Sequence, residues 1–396
     1  MQWLNRAMLR LPTENTLDRE EKIMAEQFTT LASLTVDGKG SYGIGASAVP
    51  FSKDLYTYLR ITDIKDDGTL NLQDLKSVDD EKASEYLLKP NDIVFARTGA
   101  STGRNYFYDG MDGEFVYAGF LIKFSIDEKK VNPKYIKYFC QSKQYKDWIN
   151  SFNTGSTRGN INAQTLGKMP IPLIERTAQD ALVSILSSID EKIKKNNEIN
   201  NNLEQQAKAI FDNMFPNSFD GIHTIGEYIT PKRGKNLLSK NALPGKVPVV
   251  AGGLNPTTYH NKANTHPPVL TISASGANAG YVNLWNIPIW SSDSSYIDKT
   301  MTNNVYFWYV LLKNRQNEIF DSQTGSAQPH IYPKHIAEMP IIELKKDLIN
   351  KYTSLVEPFF KIIGSNCNEN KYLSNLRDAL LPRLMSGELD VSNINI

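Results

Sequence analysis

Residues 177–215 read TAQDALVSILSSIDEKIKKNNEINNNLEQQAKAIFDNMF. Apolar or small residues recur along this stretch at alternating intervals of four and three, which is the spacing of a coiled-coil seam. The seam consists of Leu182, Leu186, Ile189, Ile193, Leu203, Ala207, Ile210 and Met214, with two polar steps at Asn196 and Asn200. Thr177 and Asp180 resemble a capping box at its start, and Pro216 is a stop signal. The pattern therefore predicts one long helix.

A second seam repeats the first at an offset of 170. It consists of Val356, Phe359, Ile363, Asn366, Asn370, Leu373, Arg377, Leu380 and Leu384. Because the asparagines recur in register, the two stretches indicate an internal duplication. We predict a second helix over residues 346–385, which Pro382 kinks or ends locally and after which Gly387 is the C′ residue.

Each predicted helix needs a partner for its apolar stripe, and the other copy is the nearest candidate. We therefore expect an antiparallel intramolecular coiled coil with a pseudo-two-fold axis. The buried amides of Asn196, Asn200, Asn366 and Asn370 would then fix one register at a cost in stability. The alternative is that residues 196–202 are only a solvated helix face.

The regions that precede the two helices mix strands and helices. Strand-like runs at residues 56–64, 92–97 and 114–126 are separated by Asp-Gly turns. A helix is predicted at residues 133–152, with Pro133 in its first turn, and residues 304–320 match it. We predict an α+β fold with two α+β domains separated by two long helices. The chain then divides into an unassigned prelude (1–27), a first domain (28–174), a central helix (175–216), a second domain (217–343) and a C-terminal helix with its tail (344–396).

Short anchors repeat between the two domains, whereas the sequence around them is nearly unrelated. At an offset of 177 the matches are Gly99-Ala100 with Gly276-Ala277 and Gly103 with Gly280. At an offset of 170 they are Thr154-Gly155-Ser156 with Thr324-Gly325-Ser326 and Met169-Pro170 with Met339-Pro340. Two matched frames with different surfaces, joined by helices of about 50–60 Å, suit a ruler that reads two separate DNA sites.

The composition limits the class of protein. With 40% hydrophobic and 22% charged residues the chain is globular, and a net charge of +1 provides no global field for nucleic acid. Two distant cysteines, Cys140 and Cys367, indicate reduced thiols rather than a disulfide framework or a metal site. Neither a run of about 18 apolar residues nor a secretory signal is present, so we expect a cytoplasmic protein without membrane contact.

Motifs for catalysis are missing from the sequence. Residues 99–103, GASTG, lack the Gly-Lys-Ser/Thr end of a phosphate loop and indicate a tight turn. Residues 43–47, GIGAS, lack the third glycine of a dinucleotide site. The five histidines are scattered, and the spacing of His330 and His335 suits no metal on a helix. We therefore predict no catalytic group and no metal site.

Polar, basic and hydroxyl-rich loops remain as candidates for binding DNA. Arg, Asn and Gln can read base edges, whereas Lys and Ser suit phosphates. In the first domain the candidates are Arg97, Thr98, Ser101, Thr102, Arg104, Ser156, Thr157, Arg158 and Asn160. In the second domain they are Lys232, Arg233, Lys235, Ser273, Ser275, Asn278, Ser326, Gln328 and His330. For any single residue, a solvated surface loop is an equally good explanation.

Four stretches resemble the specificity (S) subunits of type I restriction–modification systems. Residues 188–215 and 373–389 are similar to the long helices of that family. TGSTRGNINAQTLGKMPIPL (154–173) and TGSAQPHIYPKHIAEMPI (324–341) resemble the close of each target-recognition domain. The resemblance covers nearly the whole chain after residue 28.

The resemblance implies a subunit that reads a split, asymmetric double-stranded DNA target and performs no chemistry itself. It implies two modification subunits that use S-adenosylmethionine to methylate adenine, and restriction subunits that use ATP and Mg²⁺ to cut DNA. This chain would then bind no cofactor. The alternatives are a coiled-coil scaffold that binds proteins and a stand-alone DNA enzyme with an unrecognised site.

Overall fold

A computed structural model of the chain describes residues 28–72, 74–152, 160–325 and 328–389. The prelude at residues 1–27 lies outside the described residues. The described residues form two compact units: the first comprises those between 28 and 190 and between 375 and 389, and the second comprises those between 191 and 374. Each unit therefore contains one part of both long helices. The predicted division into five segments stays a prediction.

The first unit is built around a buried central strand, β6. Its described strands are β1 (Phe28–Thr30), β2 (Ser41–Tyr42), β3 (Ala48–Pro50), β4 (Tyr56–Leu59), β5 (Lys76–Val78), β6 (Asp92–Ala96), β7 (Asn105–Tyr108), β8 (Phe115–Tyr117), β9 (Leu121–Ser125) and β10 (Pro170–Pro172). They form sheets of order β2-β9-β6-β7 and β3-β5-β4-β8, and β1 pairs with β10. Strand β6 is antiparallel to both neighbours, and all five of its residues are buried.

Three short helices cover this sheet, namely α1 (Pro133–Phe139), α2 (Lys143–Asn150) and α3 (Ala163–Gly167). The single helix predicted at residues 133–152 is therefore wrong. The chain turns after α1 because Ser142 caps α2, its side chain accepting a hydrogen bond of 3.2 Å from the backbone of Tyr145. Pro133 occupies the first turn of α1, as predicted.

Two predicted strands of the first unit are also shorter than expected. The run at residues 56–64 is a strand only as far as Leu59, because the side chain of Asp63 accepts the backbone N–H of Arg60 at 2.7 Å and turns the chain. The run at residues 114–126 is two strands, β8 and β9. A turn separates them, closed by the backbone hydrogen bond from Leu121 to Ala118.

The second unit repeats this plan around β15. Its described strands are β11 (His223–Thr224), β12 (Lys232–Arg233), β13 (Val247–Val250), β14 (Thr258–His260), β15 (Val269–Ser273), β16 (Val282–Trp285), β17 (Trp290–Ser291), β18 (Ser294–Asp298) and β19 (Pro340–Ile341). The sheets have the orders β12-β18-β15-β16 and β14-β13-β17, and β11 pairs with β19. All five residues of β15 are buried.

The helices of the second unit are α5 (Val305–Asn314), α6 (Gln316–Asp321) and α7 (Pro333–Ala337). The predicted match to residues 304–320 is thus also a broken helix. The break lies at Arg315, whose buried guanidinium binds Glu318 and the carbonyl of Pro340. The two units therefore share the same interrupted helix.

The structural repeat keeps the offsets found in the sequence. Helix α7 corresponds to α3 at the offset of 170, at both ends of the helix. The glycine-rich hairpin β15–β16 corresponds to β6–β7 at the offset of 177. The predicted α+β fold with an internal repeat is confirmed.

The two long helices are α4 (Arg176–Met214, 39 residues) and α8 (Lys346–Met385, 40 residues). The predicted capping box is wrong, because Thr177 lies inside the helix and Asp180 instead accepts hydrogen bonds from Arg176 and Asn132. Helix α8 continues through Pro382 for three residues, so this proline does not end it. Gly387, the predicted C′ residue, has a φ of +70°.

The long helices contribute to the core of each unit. In the first unit, Leu182 and Leu186 of α4 and Leu384 of α8 are buried with the sheet and α1. In the second unit, the ring of Phe360 stacks on that of Tyr306 at 4.8 Å. The helices thus complete both hydrophobic cores, which holds the loops at the sheet ends in place.

Candidate nucleic-acid interface

Two predicted loops of the first unit meet at the end of β6. Thr98 forms an isolated antiparallel bridge with Asn160, and the backbone N–H of Ile161 donates to the carbonyl of Arg97 at 2.9 Å. The structure therefore brings Arg97, Thr98 and Asn160 together. Ser156, Thr157 and Arg158 lie outside the described residues.

The turn that follows is tight and glycine-dependent. Gly99 and Gly103 have φ values of +74° and +87°, and the Thr102 hydroxyl donates to the carbonyl of Gly99 at 2.8 Å. A Cβ at Gly103 would lie 2.5 Å from Cγ2 of Ile149. Ser101 in this turn is buried. The geometry fits the predicted tight turn.

The two candidate arginines of this edge differ in their surroundings. Arg104 Nε binds the carboxylate of Asp66 at 2.7 Å. The Cζ atom of Arg97 instead lies 5.1 Å from the ring centroid of Tyr42, and Arg97 Nε is buried without a hydrogen-bond partner among the described residues. Arg97 therefore keeps hydrogen-bonding capacity that Arg104 has spent on an ion pair.

We call the bridge that joins two loops at the end of a central strand, such as Thr98–Asn160 at β6, a loop closure. The second unit has the same loop closure at the end of β15. Ser275 forms an isolated bridge with His330, and the backbone N–H of Ile331 donates to the carbonyl of Ala274 at 3.0 Å. The two closures are equivalent, because Ser275 corresponds to Thr98 at the offset of 177 and His330 corresponds to Asn160 at the offset of 170. The His330 ring stacks on that of Tyr332 at 5.9 Å.

A carboxylate organises the second closure. Asp293 Oδ1 accepts a hydrogen bond from Arg233 at 2.5 Å, and its Oδ2 accepts one from the Ser275 hydroxyl. Asp293 immediately precedes β18, and the residue that precedes the equivalent strand β9 is Phe120. Both residues accept a backbone hydrogen bond, from Ala274 and from Arg97 respectively. The same position in the frame thus carries an acid in one unit and an aromatic ring in the other.

The remaining candidates of the second unit differ in accessibility. Lys232, Lys235 and Gln328 are exposed, which suits contact with a large partner. Ser273 is buried in β15, and Asn278 is half-buried in the glycine turn. Ser326 lies outside the described residues. No described feature brings Lys232 or Lys235 into the Ser275–His330 closure.

The four seam asparagines meet across the two long helices within the second unit. Asn196 Nδ2 donates to Asn370 Oδ1 at 2.8 Å, and Asn366 Nδ2 donates to Asn200 Oδ1 at 2.8 Å. Asn196 and Asn200 are buried. The pairs show that the helices run antiparallel, since the partner number falls as the first number rises.

Between the helix segments of the first unit lies an ion pair that the sequence pattern did not reveal. Asp190 binds Arg377 at 3.1 Å and Lys137 at 3.0 Å, and it accepts a hydrogen bond from the Tyr138 hydroxyl at 2.9 Å. Burial raises the pKa of Asp190, but the two cations outweigh it and hold that pKa below its usual value. Arg377 is a charged residue in the predicted apolar seam, and this charge is the sequence signal that could have indicated the ion pair.

Potential metal ligands are scattered over the described part of the chain. No group of three or more His, Cys, Asp or Glu side chains could hold a metal ion there. No described helix is both long and apolar enough to cross a membrane.

Comparisons with known proteins agree with this architecture. A family model for the type I restriction modification DNA specificity domain matches residues 52–205. The MjaIX specificity subunit of a type I restriction enzyme from Methanocaldococcus jannaschii is 24% identical over 312 residues, 68% of this chain and 72% of that protein. A relative from Mycoplasma pneumoniae is 25% identical over 279 residues, 65% of this chain and 74% of that protein.

A crystal structure of a type I restriction–modification S subunit from M. genitalium has a similar fold. Its TM-score is 0.55 at 21% sequence identity, covering 94% of this chain and 98% of that one. The fold defines a class, the α+β proteins that contain two repeated units and a pair of long helices. Within it, residues 52–205 match the DNA specificity domain of type I restriction–modification systems, and the chain is similar to specificity subunits of such systems.

Proposed function

We propose that the chain reads a bipartite, asymmetric DNA target, with one half-site contacted by each unit. The observation that carries the proposal is the pair of equivalent loop closures, Thr98–Asn160 and Ser275–His330. Each unit thus contains the same pair of joined loops, and two such pairs suit two half-sites. They differ in chemistry beside the closure, where Phe120 corresponds to Asp293, so the two half-sites would differ in sequence.

The exposed side chains divide into two roles on duplex DNA. Asn160 and Gln328 end in amides that suit base edges, whereas the exposed ammonium groups of Lys232 and Lys235 suit phosphates. Lys232→Ala would weaken binding to all sequences alike and lower the salt dependence by about one unit. Salt titrations of DNA binding by the full chain with its partners would measure this. An effect confined to one base position would contradict the phosphate role.

The chain would direct methylation and cleavage that partner subunits perform. We infer two modification subunits that use S-adenosylmethionine to methylate adenine, and restriction subunits that use ATP and Mg²⁺. This chain would bind none of these cofactors, perform no chemistry, and act in the cytoplasm. Leu355 and Ile362, seven residues apart on α8, are 47% and 46% exposed. Such apolar side chains on one helix face support a protein partner there.

Methylation-aware sequencing of the native host, with and without this chain, tests the proposal. We expect a two-part modified motif with a fixed spacer that disappears when the chain is removed. If every modified motif persists after the chain is removed, DNA targeting is refuted and the scaffold alternative is favoured. Co-purification then separates the two, because a methyltransferase partner supports targeting and an unrelated protein partner supports the scaffold.

A further inference from the structure

Arg97 differs from the other arginines that the structure describes. Seven of them bind carboxylates: Arg60 (Asp63 and Asp74), Arg104 (Asp66), Arg176 (Asp180), Arg233 (Asp293), Arg315 (Glu318), Arg377 (Asp190 and Asp378) and Arg383 (Glu388). Arg97 has no carboxylate partner among the described residues. A guanidinium that lacks an internal anion keeps its donors for an external acceptor.

Local contacts hold Arg97 in place without satisfying its side chain. Its backbone N–H donates to Phe120 at 3.1 Å, and its carbonyl accepts from Ile161. Its guanidinium lies over the Tyr42 ring at 5.1 Å, and the Tyr42 hydroxyl accepts the backbone N–H of Ala163 at 3.1 Å. The buried Nε of Arg97 finds no acceptor in the part of the chain that the structure describes. The guanidinium is therefore oriented before any ligand binds, which lowers the entropy cost of binding.

Two exposed aromatic residues contact Arg97: the Tyr42 ring lies against its guanidinium, and the Phe120 carbonyl accepts its backbone N–H. Phe120 is 58% exposed and Tyr42 is 42% exposed, although both side chains are large enough to be favoured in a core. Phosphates would not need such neighbours, because a mobile lysine serves them as well. An exposed apolar residue bonded through its backbone to the residue that carries a planar donor instead suits the major-groove edge of DNA, where guanine presents two acceptors and thymine a methyl group.

Resting on the proposed DNA recognition, we propose that Arg97 is the guanine-reading side chain of the first half-site. Its two-pronged fork would donate to O6 and N7 of one guanine, and Phe120 would contact the methyl group of an adjacent thymine. Tyr42 is a positioning residue that supports the guanidinium from behind. At the equivalent edge of the second unit, the described arginine, Arg233, is instead paired with Asp293.

The substitution Arg97→Lys tests this assignment because it keeps the charge and removes the fork. In the native host, we expect the modified motif to lose its guanine at one position of one half-site. The preference for guanine there should fall about 5- to 150-fold. The other half-site should stay unchanged. Arg176→Lys is the matched control, because Arg176 binds Asp180 on the helix surface, and it should leave the whole motif unchanged.

Further outcomes separate the possibilities. Phe120→Ala should relax a thymine next to that guanine and leave the guanine required. An unchanged motif with Arg97→Lys would overturn the assignment, since a point charge would then suffice. A host in which the wild-type chain directs no motif would instead refute the proposed function itself. Equal thermal unfolding of the wild-type and Arg97→Lys chains excludes misfolding as the cause of a changed motif.

Discussion

The helix pair is closed by charges in the first unit and by apolar groups in the second. In the first unit, Asp190 of α4 binds Arg377 of α8. At the offset of 170 the corresponding positions are Phe360 and Ala207, which are both fully buried in the core of the second unit. The two helices therefore repeat in geometry and differ in chemistry at this step of the seam.

This difference makes the two helices non-interchangeable. If a copy of α4 replaced α8, Ala207 would face Asp190 and the carboxylate would lose Arg377. If a copy of α8 replaced α4, Phe360 would face Arg377. Either pairing leaves a partly buried charge without its partner across the seam, which is costly. We infer that the ion pair favours α4 with α8 over either helix with itself.

Removing one charge should have the largest effect. We expect Asp190→Leu to destabilise the chain by about 3 kcal/mol, at the low end for a broken buried pair, because the two side chains are still 21% and 18% exposed. The measurement is the urea midpoint of the full chain. The matched control is Asp190→Leu with Arg377→Leu, which should recover most of the loss. If the double variant is as unstable as the single one, the ion pair does not explain the difference between the units.

Removing an amide pair should have a smaller effect of opposite sign. Asn200 and Asn366 bond to each other, so replacing both by leucine removes donor and acceptor together. We expect a gain on the order of 1 kcal/mol and the appearance of higher oligomers, because only the Asn196–Asn370 pair then remains to specify the register. Thermal unfolding and solution scattering measure the two effects. A variant that is more stable but strictly monomeric would show that these amides do not select the register.

The smallest effect should appear in the pH dependence, where the units have opposite signs. The pKa of Asp190 is lowered, so its contribution is present above the unfolded carboxyl pKa and is lost as the pH falls through the folded pKa. The pKa of Glu204 in the second unit is raised by burial, despite the Tyr309 hydroxyl and Lys313. Its contribution is present in acid and is lost as the pH rises through the folded pKa.

Two isosteric variants separate these contributions. Glu204→Gln should raise stability at neutral pH and weaken the decline between acid and neutral pH. Asp190→Asn should lower stability at neutral pH and weaken the loss on acidification. Urea midpoints at several pH values measure both. Parallel pH profiles for Glu204→Gln and the wild type would show that this carboxyl titrates normally.

The periodic features could be predicted from the sequence because each depends on local spacing. The asparagines interrupt an otherwise apolar seam, and Gly103 and Gly280 repeat at a fixed offset. The predicted bounds of α4 agree with the structure to within one residue at each end. The helix breaks at Ser142 and Arg315 could not be predicted from the sequence pattern. They depend on a helix cap and on a buried guanidinium that binds the distant carbonyl of Pro340.

The chemistry at the loop closures depends on contacts that cross long stretches of chain. Tyr42 lies on a two-residue strand and meets Arg97, far along the chain, only because β2 and β6 flank β9. Phe120 and Asp293 lie in turns that precede strands, and a continuous apolar run concealed the first of these turns. Asp190 lies one position outside the apolar seam. The sequence pattern therefore predicts the repeated backbone structure but not the side-chain contacts that distinguish the two units.

Gly103 and Gly280 separate the support of each loop from its chemistry. Each accommodates an isoleucine of the second helix that follows it, α2 or α6, since added Cβ atoms would approach Ile149 and Ile319 to 2.5 and 2.9 Å. These contacts do not involve Phe120 and Asp293, the residues that differ between the units. If Arg97 reads a guanine, as we propose, exchanging a pair such as Arg97-Thr98 would change the target preference and leave the supporting helix in place.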